Sequence, residues 1–312
     1  MRAIGVTRYG GPEALHEVKV DPEPLRLNSV RVRTSAAAVN PTDILLRRGM
    51  RDHGPRAATV AVPGMDVCGT VTEIGYGVEN RLAIGQRVMA VVVTDGEHGA
   101  YRDEVVLPSG SVVAAPAGFS DPEVASVPMN ALTACHALEM LSLPAGSTFA
   151  VTGAAGGLGG VAIELAKASG LTVIADATAK DKELVTRLGA DIVVPRGAGF
   201  AAAVRMAVPG GVDALLDAAV RGPEVTSAVR DAGSFVTVRL WTGGGDRRLK
   251  YRPVLMRPVA ERLDMLEWIV TLLRNGRIQP RVAALLAPTD APEAHRRLEA
   301  GGVRGRLVLD FS

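Results

Sequence analysis

The sequence has little of several features that would mark a specialised class of protein. Its 312 residues include only two cysteines, Cys68 and Cys135, too few for a cysteine-ligated zinc cluster or a disulfide framework. The formal net charge is +2, so the charge does not favour a nucleic-acid or anionic-membrane partner. No stretch offers about 18 consecutive apolar residues, and the amino-terminal MRAIGVTRYGG has no apolar signal region. We therefore expect a soluble, cytoplasmic globular protein.

The residues that are present divide the chain into two parts, in line with a length that predicts about two domains. Up to about Pro116, short β-like runs are broken by glycine and proline. From about Asp121, strands alternate with helical segments, which predicts βαβ crossovers and a parallel sheet. The last strand, GRLVLDF, has no crossover partner and could return to pack against the first domain.

The second part begins with a helical stretch, DPEVASVPMNALTACHALEML, for which Asp121 is the candidate N-cap. Strands are predicted at TFAVT, LTVIADA, DIVV, VDALLDA and SFVTV. Helices are predicted at GVAIELAKASG, KDKELVTRLGA and PEVTSAVRDAG, followed by the long amphipathic helix AERLDMLEWIVTLLRNG.

A glycine-rich segment, VTGAAGGLGG, joins the strand TFAVT to the next helix. Its Gly153, Gly156 and Gly159 have the spacing GxxGxxG. Glycines in such a turn let the backbone approach a pyrophosphate, and the helix N-terminus supplies N–H groups and a positive dipole end. Because a strand precedes the loop and a helix follows it, we favour nucleotide binding over a purely structural turn.

The end of the next strand, TVIADATAKDK, bears on which nucleotide is bound. NAD-dependent enzymes usually place a carboxylate there for the ribose 2′-hydroxyl. Asp176 is the only acid on the strand, and it lies one residue before the tip, Ala177. A hydroxyl and cations that suit a 2′-phosphate follow, at Thr178, Lys180, Lys182 and, after the strand DIVV, Arg196. NADPH is favoured over NADH; the alternative is that these are ordinary solvated charges.

Several ordered segments together resemble one protein family. They are AAAVNPTDILLRRG, VPGMDVCGTVTEIG, GAYRDEVVLP, MNALTACHAL, GAAGGLGG with ELAKASG, LGAD and VDALLDA, and AHRRLEAGGVRGRLVLD. They resemble the zinc-independent quinone oxidoreductase branch of the medium-chain dehydrogenase/reductases. The resemblance implies an α/β protein with a GroES-like β domain at residues 1–120, completed by 256–312. A Rossmann domain with a doubly wound parallel sheet, at residues 121–255, would bind NADPH.

The resemblance also bears on metal binding. Zinc-dependent relatives carry a cysteine at the position of Asn40 and a His-Glu pair at the positions of Met65 and Asp66. The chain has no counterpart of their four-cysteine zinc lobe. Zinc needs three or four nitrogen, sulfur or oxygen ligands, and the histidines and two cysteines show no such spacing. We therefore predict no metal site.

Without a Lewis acid, hydride transfer needs an acceptor that is already electrophilic. A conjugated carbonyl qualifies because charge arriving at its β-carbon delocalises onto the oxygen. By resemblance, Asn40 lies nearest the nicotinamide, and its amide N–H could reach an oxyanion or the cofactor. Asp43 would orient neighbouring groups or, alternatively, only cap the helix DILLRRG. Thr133 would place its hydroxyl near the nicotinamide or is, alternatively, an ordinary helix-interior threonine.

The resemblance implies further cofactor contacts. The expected pyrophosphate contacts are Ala155, Gly156, Gly157 and Leu158. Ala219 and Val238, at the ends of the strands VDALLDA and SFVTV, are expected on the nicotinamide-ribose side. Thr178, Lys182 and Arg196 complete the expected cofactor site at the 2′-phosphate.

Two features depart from the family. Bacterial relatives often carry tyrosines in the stretch matched by ILLRRGMRDH, where this chain has Leu45 and Met50. A proton would then come from water, Tyr101, His53 or a residue that the sequence does not identify. The loop LWTGGGDRRLKYRP carries more charge than the family leads us to expect. It either admits an acidic or polar substrate or forms a solvated flap.

The sequence thus predicts an NADPH-dependent reductase of quinones or α,β-unsaturated carbonyl compounds, including enoyl thioesters. A tailoring enzyme for a dedicated intermediate, for example of polyketide type, and a non-catalytic NADPH-binding protein stay open as alternatives. The resemblance implies a homodimer across an exposed edge that includes SFVTV. The alternative is a monomer whose edge is covered by the GGGDRR loop.

Overall fold

The structure, a computed structural model, describes residues 1–50, 60–78 and 80–312. They form two compact units. The first comprises Met1–Met129, Ala260–Arg274 and Pro280–Ser312, and the second comprises Asn130–Val259 and Asn275–Gln279. No helix in the described residues is both long enough and apolar enough to cross a membrane.

The strands and helices follow one another in chain order. The first stretch contains β1 (Arg2–Gly5), β2 (His16–Lys19), β3 (Ser29–Ala38), α1 (Pro41–Arg47), β4 (Asp66–Ile74), β5 (Arg87–Val91), β6 (Glu104–Pro108), β7 (Val112–Ala114) and α2 (Asp121–Ala125). The middle stretch contains α3 (Pro128–Leu141), β8 (Thr148–Thr152), α4 (Gly157–Ala168), β9 (Thr172–Ala177), α5 (Lys182–Arg187), β10 (Ile192–Pro195), α6 (Phe200–Ala207), β11 (Val212–Asp217), β12 (Val229–Thr237) and β13 (Lys250–Pro253). The last stretch contains α7 (Leu263–Arg274), β14 (Val282–Leu286), α8 (Ala291–Ala300) and β15 (Arg306–Asp310).

A seven-stranded sheet forms the body of the first unit. Its strands lie in the order β14-β15-β3-β4-β5-β7, and β6 also pairs with β3. β3 can serve several partners because it is ten residues long and almost wholly buried. Its first half pairs with β6, and its second half pairs with β15, where Val308 lies opposite Ala38. The prediction that the final strand returns to the first domain is therefore confirmed.

The sheet of the second unit has six strands, all parallel, in the order β10-β9-β8-β11-β12-β13. Counted from β8, this is the order 3-2-1-4-5-6 of a doubly wound nucleotide-binding sheet. β8 is a continuous apolar run, with Phe149, Ala150 and Val151 fully buried, as expected when both faces of a parallel sheet are covered. The predicted α/β class and parallel sheet are confirmed. Strands β9 and β10 are added on one side of β8, and β11, β12 and β13 are added on its other side. The carboxyl end of β8 is therefore the expected ligand-binding position.

The predicted helix beginning at Asp121 is wrong in two details. Its N-cap is Ser120, whose backbone N–H donates to the Glu123 carboxylate at 2.8 Å. The pattern Ser-x-x-Glu is a capping box, a signal present in the sequence. The stretch is also two helices rather than one, because Pro128 lacks the N–H that a continuing helix would need.

Two predictions beyond β11 are also wrong. The segment PEVTSAVRDAG is not an α-helix: a 3-10 turn covers Gly222–Ala228, and β12 already begins at Val229. The strand containing SFVTV is not the edge, because part of the charged loop, Lys250–Pro253, forms β13 and pairs with it. Within the described residues, β13 is the outermost strand on this side of the sheet. The homodimer stays a prediction.

Candidate functional site

The loop between β8 and α4 has the geometry expected of a phosphate cradle. The helix begins at Gly157, and Gly156 is its N-cap. Gly153 has a positive φ of 68°, which glycine adopts without strain. A Cβ at Gly159 would lie 2.3 Å from the Gly153 carbonyl oxygen, which real side chains do not tolerate. Glycine is therefore required here, and the first-turn amides of Gly157 and Leu158 lie at the helix end that attracts anions.

A hydrogen-bonded group that the sequence reading missed holds the ends of β8 and β11 together. The hydroxyl of Thr152 donates to the Asp217 carboxylate at 2.7 Å and accepts from the backbone N–H of Ala219 at 3.1 Å. The other Asp217 oxygen accepts from the N–H of Gly222 at 2.7 Å. Ala219 is thereby held beside Gly153, where an added Cβ would lie 3.3 Å from that of Ala219. Polar residues at the carboxyl ends of two predicted parallel strands were the signal in the sequence.

Asp176 braces the glycine-rich loop. One carboxylate oxygen accepts from the backbone N–H of Ala154 at 2.9 Å, and the residue is only 4% exposed. Burial raises the pKa of Asp176, while the Ala154 N–H and the Arg196 guanidinium lower it. Because this carboxylate is buried against the loop, it is poorly suited to accept from a ribose hydroxyl.

The residues predicted to hold a 2′-phosphate lie at the carboxyl ends of β9 and β10. Arg196 follows β10, donates its backbone N–H to the Ala177 carbonyl at 3.0 Å, and leaves its side chain 43% exposed. Thr178 follows β9 and donates its hydroxyl to Asp181 at 2.5 Å. Lys182 is exposed at the start of α5. The structure thus brings Thr178 and Arg196 to adjacent strand ends.

In the first unit, Asn40 belongs to a buried group of charges. Its side-chain amide donates to Asp66 at 2.8 Å and to the Ala38 carbonyl at 3.3 Å. Asp66 is fully buried and also accepts from the Arg306 guanidinium at 2.8 Å and from the Met129 backbone N–H at 2.6 Å. Both amide N–H groups of Asn40 are therefore engaged, which the sequence reading did not anticipate.

Asp43 caps α1 and also organises its surroundings, so both readings of this residue describe real contacts. Its carboxylate accepts from the backbone N–H of Asn40 at 2.8 Å, from that of Gly64 at 2.9 Å and from the Tyr101 hydroxyl at 3.2 Å. Burial raises the pKa of Asp43 from 3.8 to about 6, although the Gly64 and Asn40 N–H groups oppose the shift.

Tyr101 is a poor candidate for the proton donor. The residue is fully buried, and its hydroxyl already donates to Asp43. Burial and the nearby Asp43 charge raise the pKa of Tyr101 well above its ordinary value. The other named candidate, His53, lies outside the described residues.

The remaining predicted residues occupy ordinary places in the second unit. Thr133 is a buried residue in the middle of α3, and Ala155 is buried in the glycine-rich loop. Val238 is half-buried just after the end of β12. Their contacts with a cofactor stay predictions.

This arrangement has counterparts among known proteins. The chloroplast envelope quinone oxidoreductase homolog of Arabidopsis thaliana is 28% identical over 99% of this chain and 98% of its own length. The 2-methylene-furan-3-one reductase of Solanum lycopersicum is 27% identical over 99% of this chain and 79% of its own length. A mycobacterial protein solved in complex with NADPH is 26% identical, with a TM-score of 0.85, over 99% of this chain and 100% of the other.

Two family models cover most of the chain between them. The alcohol dehydrogenase GroES-like domain matches residues 26–117, and the zinc-binding dehydrogenase domain matches residues 188–309. The chain belongs to the medium-chain dehydrogenase/reductase family. Its resemblance to the quinone oxidoreductase branch is confirmed, as is the GroES-like first domain. It is accordingly an oxidoreductase, and its nucleotide-binding fold supports a pyridine nucleotide as the cofactor.

The residues that the resemblance aligns with zinc ligands, Asn40 and Asp66, have other partners in the described structure. In the part of the chain that the structure describes, no three His, Cys, Asp or Glu side chains could together hold a metal ion. The position of Asn40 carries an amide, and the carboxylate of Asp66 is occupied by Asn40, Arg306 and Met129. These residues do not fit a zinc ion.

Replacing Gly159 by alanine should weaken binding of the pyridine nucleotide. The new Cβ would meet the Gly153 carbonyl oxygen at 2.3 Å and push the loop away from its place at the end of α4. We expect a Kd higher by about tenfold or more, because one charge-assisted hydrogen bond is worth roughly 1.5–3 kcal/mol. Fluorescence titration with NADPH measures the effect. Gly210→Ala is the matched control because a Cβ there meets nothing within 4 Å; equal affinity of the two variants would contradict the cradle.

Replacing Asp43 by asparagine should change how stability depends on pH. With a pKa raised from 3.8 to about 6, Asp43 holds its proton more tightly in the folded protein than in the unfolded chain. Its contribution to the free energy of unfolding is therefore present below about pH 4 and lost as the pH rises through about 6. The free energy of unfolding of the wild type falls by roughly 3 kcal/mol through this titration. Asp43→Asn has no carboxyl group at this position and does not show the fall.

Urea unfolding at several pH values between 4 and 7 measures this difference. The stability of Asp43→Asn relative to the wild type should rise by that amount over the range. Asp231→Asn, at a side chain that is 83% exposed, should keep the wild-type slope. A wild-type slope in Asp43→Asn as well would show that Asp43 does not titrate as described.

Proposed function

We propose that the protein transfers hydride from NADPH to a quinone or another α,β-unsaturated carbonyl compound without zinc. The observation that carries the proposal is the glycine cradle at the switch point of the parallel sheet, with exposed cations at the neighbouring strand ends. The solved NADPH complex of the mycobacterial relative supports the choice of cofactor. The names of the Arabidopsis and tomato relatives support the class of acceptor.

The residues present fit a dinucleotide. A side chain at Gly159 would clash with the Gly153 carbonyl oxygen, and α4 offers its N-terminal amides of Gly157 and Leu158 to a pyrophosphate. Ala155 and Gly156 belong to the same loop, and Ala219 and Val238 would line the nicotinamide-ribose side. When bound, the cofactor supplies the hydride.

The preference for NADPH over NADH rests on charge. The one carboxylate at the end of β9, that of Asp176, is turned into the loop and bonded to Ala154. Lys182 and Arg196 instead offer two cations to a 2′-phosphate, and Thr178, whose hydroxyl donates to Asp181, would contact it only by exchanging that bond.

The residues near the reacting end have positioning roles in this proposal. Asn40 would meet the acceptor oxygen by exchanging its longer bond, to the Ala38 carbonyl at 3.3 Å, while the bond to Asp66 keeps the amide in place. Asp43 holds Asn40 through its backbone N–H, so it acts through Asn40. Thr133 would offer its hydroxyl to the nicotinamide. Because Tyr101 is fully buried, the proton for the enolate would come from water.

Steady-state oxidation of NADPH and of NADH tests the function. The acceptors are a benzoquinone, a naphthoquinone, a linear enone and an enoyl thioester. We expect turnover with at least one acceptor, a preference for NADPH, and no change in rate after treatment with a chelator or addition of zinc. The best acceptor names the substrate class, and a strict preference for one thioester would favour a tailoring enzyme. NADPH binding without turnover of any acceptor would overturn the proposal in favour of a non-catalytic role.

Replacing Arg196 by glutamine should lower the preference for NADPH. Removing a charge-assisted hydrogen bond to a phosphate costs roughly 1.5–3 kcal/mol, so the ratio of NADPH to NADH affinity should fall by about tenfold or more. Titrations with both nucleotides measure the ratio. Arg187→Gln, in an exposed pair with Glu183, is the matched control and should keep the wild-type ratio. If both variants keep it, the 2′-phosphate site lies elsewhere.

A further inference from the structure

Most arginines of the second unit have a partner of opposite charge or a set of carbonyl groups. Arg187, Arg196, Arg221, Arg230 and Arg248 each lie within ion-pair distance of a carboxylate, and Arg205 donates to three backbone carbonyls. Each of these side chains has a partner within the protein, although the 3.9 Å pair of Arg196 with Asp176 leaves its 43% exposed guanidinium available to a 2′-phosphate as well. Arg239 and Arg252 are different.

Arg239 and Arg252 are both half-buried, and neither side chain has a hydrogen-bond or ion-pair partner among residues 1–50, 60–78 and 80–312. For Arg252 the Nε atom is fully buried. The Nε–H of Arg252 is removed from water and loses its hydration, and a planar anion that accepts from it restores the lost interaction. A buried donor without an acceptor is therefore an observation that points to a ligand.

Both arginines lie at the carboxyl ends of β12 and β13, on the same edge of the parallel sheet as the glycine-rich loop after β8. Thr237 and Pro253 are opposite each other at the carboxyl ends of β12 and β13. Arg252 comes one residue before Pro253, and Arg239 comes two residues after Thr237, with its backbone N–H bonded to the Thr237 hydroxyl at 3.2 Å. Ligands of open parallel sheets bind outside the carboxyl ends of the strands. Val238, expected beside the nicotinamide ribose, lies between Thr237 and Arg239.

Aromatic rings pack the loop that follows Arg239 against β13. Trp241, Tyr251 and Phe235 pack ring against ring, with centroids 5.1–5.6 Å apart. A Cβ at Gly243 would lie 2.2 Å from the Tyr251 ring, so the loop that follows Arg239 is pressed against the strand that carries Arg252. The charged loop is thus partly a packed structure and not only a solvated flap.

We propose that Arg239 and Arg252 form an anion-binding subsite that selects acceptors bearing a carboxylate or phosphate group. The inference rests on the proposed reductase function, whose substrate class it narrows to an anionic conjugated carbonyl compound. The oxyanion has two possible sources, a carboxylate on the acceptor itself or a phosphate of a carrier thioester. Bidentate contact with an oxyanion explains why the site uses arginines.

Binding is measured first, because it does not require turnover. Isothermal titration of the full chain, saturated with NADP⁺, compares 4-oxopentanoate with its methyl ester. We expect the acid to bind tighter than the ester by about tenfold or more, the range for a hydrogen bond to a charged group. Arg252→Gln and Arg239→Gln should each remove most of this difference. Arg247→Gln, at an exposed arginine of the same loop, is the matched control and should retain it.

Turnover then separates the two sources of the anion. The kcat/KM for trans-4-oxopent-2-enoate is compared with that of its methyl ester, and crotonyl-CoA is compared with the phosphate-free crotonyl N-acetylcysteamine thioester. A preference for the free acid that Arg252→Gln abolishes assigns the site to a carboxylate. A preference for crotonyl-CoA alone, equally dependent on Arg252, assigns it to a carrier phosphate.

Three results would overturn the inference while leaving the reductase intact. They are equal rates for both members of each pair, an equal loss of preference in Arg247→Gln, and a change of oligomeric state in Arg252→Gln with no change in preference. The last result would mean that Arg252 meets a carboxylate of a second copy. Acid binding that depends on Arg252 without reduction of any acceptor would instead overturn the proposed function and leave the anion site standing.

Discussion

The nucleotide end of the second unit depends on one close approach, between the Cα of Gly159 and the carbonyl oxygen of Gly153. Because the first turn of α4 lies directly on the end of β8, the helix amides are held at the strand tip rather than a side-chain length away from it. The contacts around the loop maintain that arrangement. Asp176 of β9 holds the loop through the Ala154 N–H, and Thr152 at the end of β8 is bonded to Asp217 and Ala219 at the end of β11. The carboxylates of Asp176 and Asp217 accept hydrogen bonds from groups of the protein itself. The N-terminal amides of α4 therefore stay available to an anion.

In the first unit, the central feature is the buried carboxylate of Asp66. Asp66 is fully buried, and an isolated carboxylate there would be costly. Its charge is compensated by the Arg306 guanidinium, and its remaining acceptor sites are filled by Asn40 and by the backbone of Met129. The same carboxylate therefore joins the start of α1, the start of α3 and the last strand. A buried pair of this kind stabilises little by itself, but the loss of one partner leaves the other charge unpaired in the interior.

The sequence predicted the parallel sheet, the glycine cradle and the return of the final strand, because each has a strong local signal. Alternation of β-branched runs with helical segments marks the sheet, and glycine spacing marks the cradle. It failed where one local signal competed with another or where tertiary contacts override local preference. Ser120 caps α2 although Asp121 is also a good cap, and the segment before β12 lacks a regular helix. The partners of Asn40 could not be foreseen, since Arg306 lies far from it in the sequence and meets it only through Asp66.

The pairing of β15 with β3 sets the order in which the molecule can be completed during synthesis. Val308 lies opposite Ala38, 270 positions earlier in the chain. The whole parallel sheet lies between these strands in sequence, so it can form on the ribosome while the first sheet still lacks two of its strands. Until residues 306–310 have left the ribosome, one edge of β3 is exposed in its second half, and such edges recruit other chains. A nascent chain that stalls near its end would therefore present a finished nucleotide fold attached to an aggregation-prone, unfinished sheet.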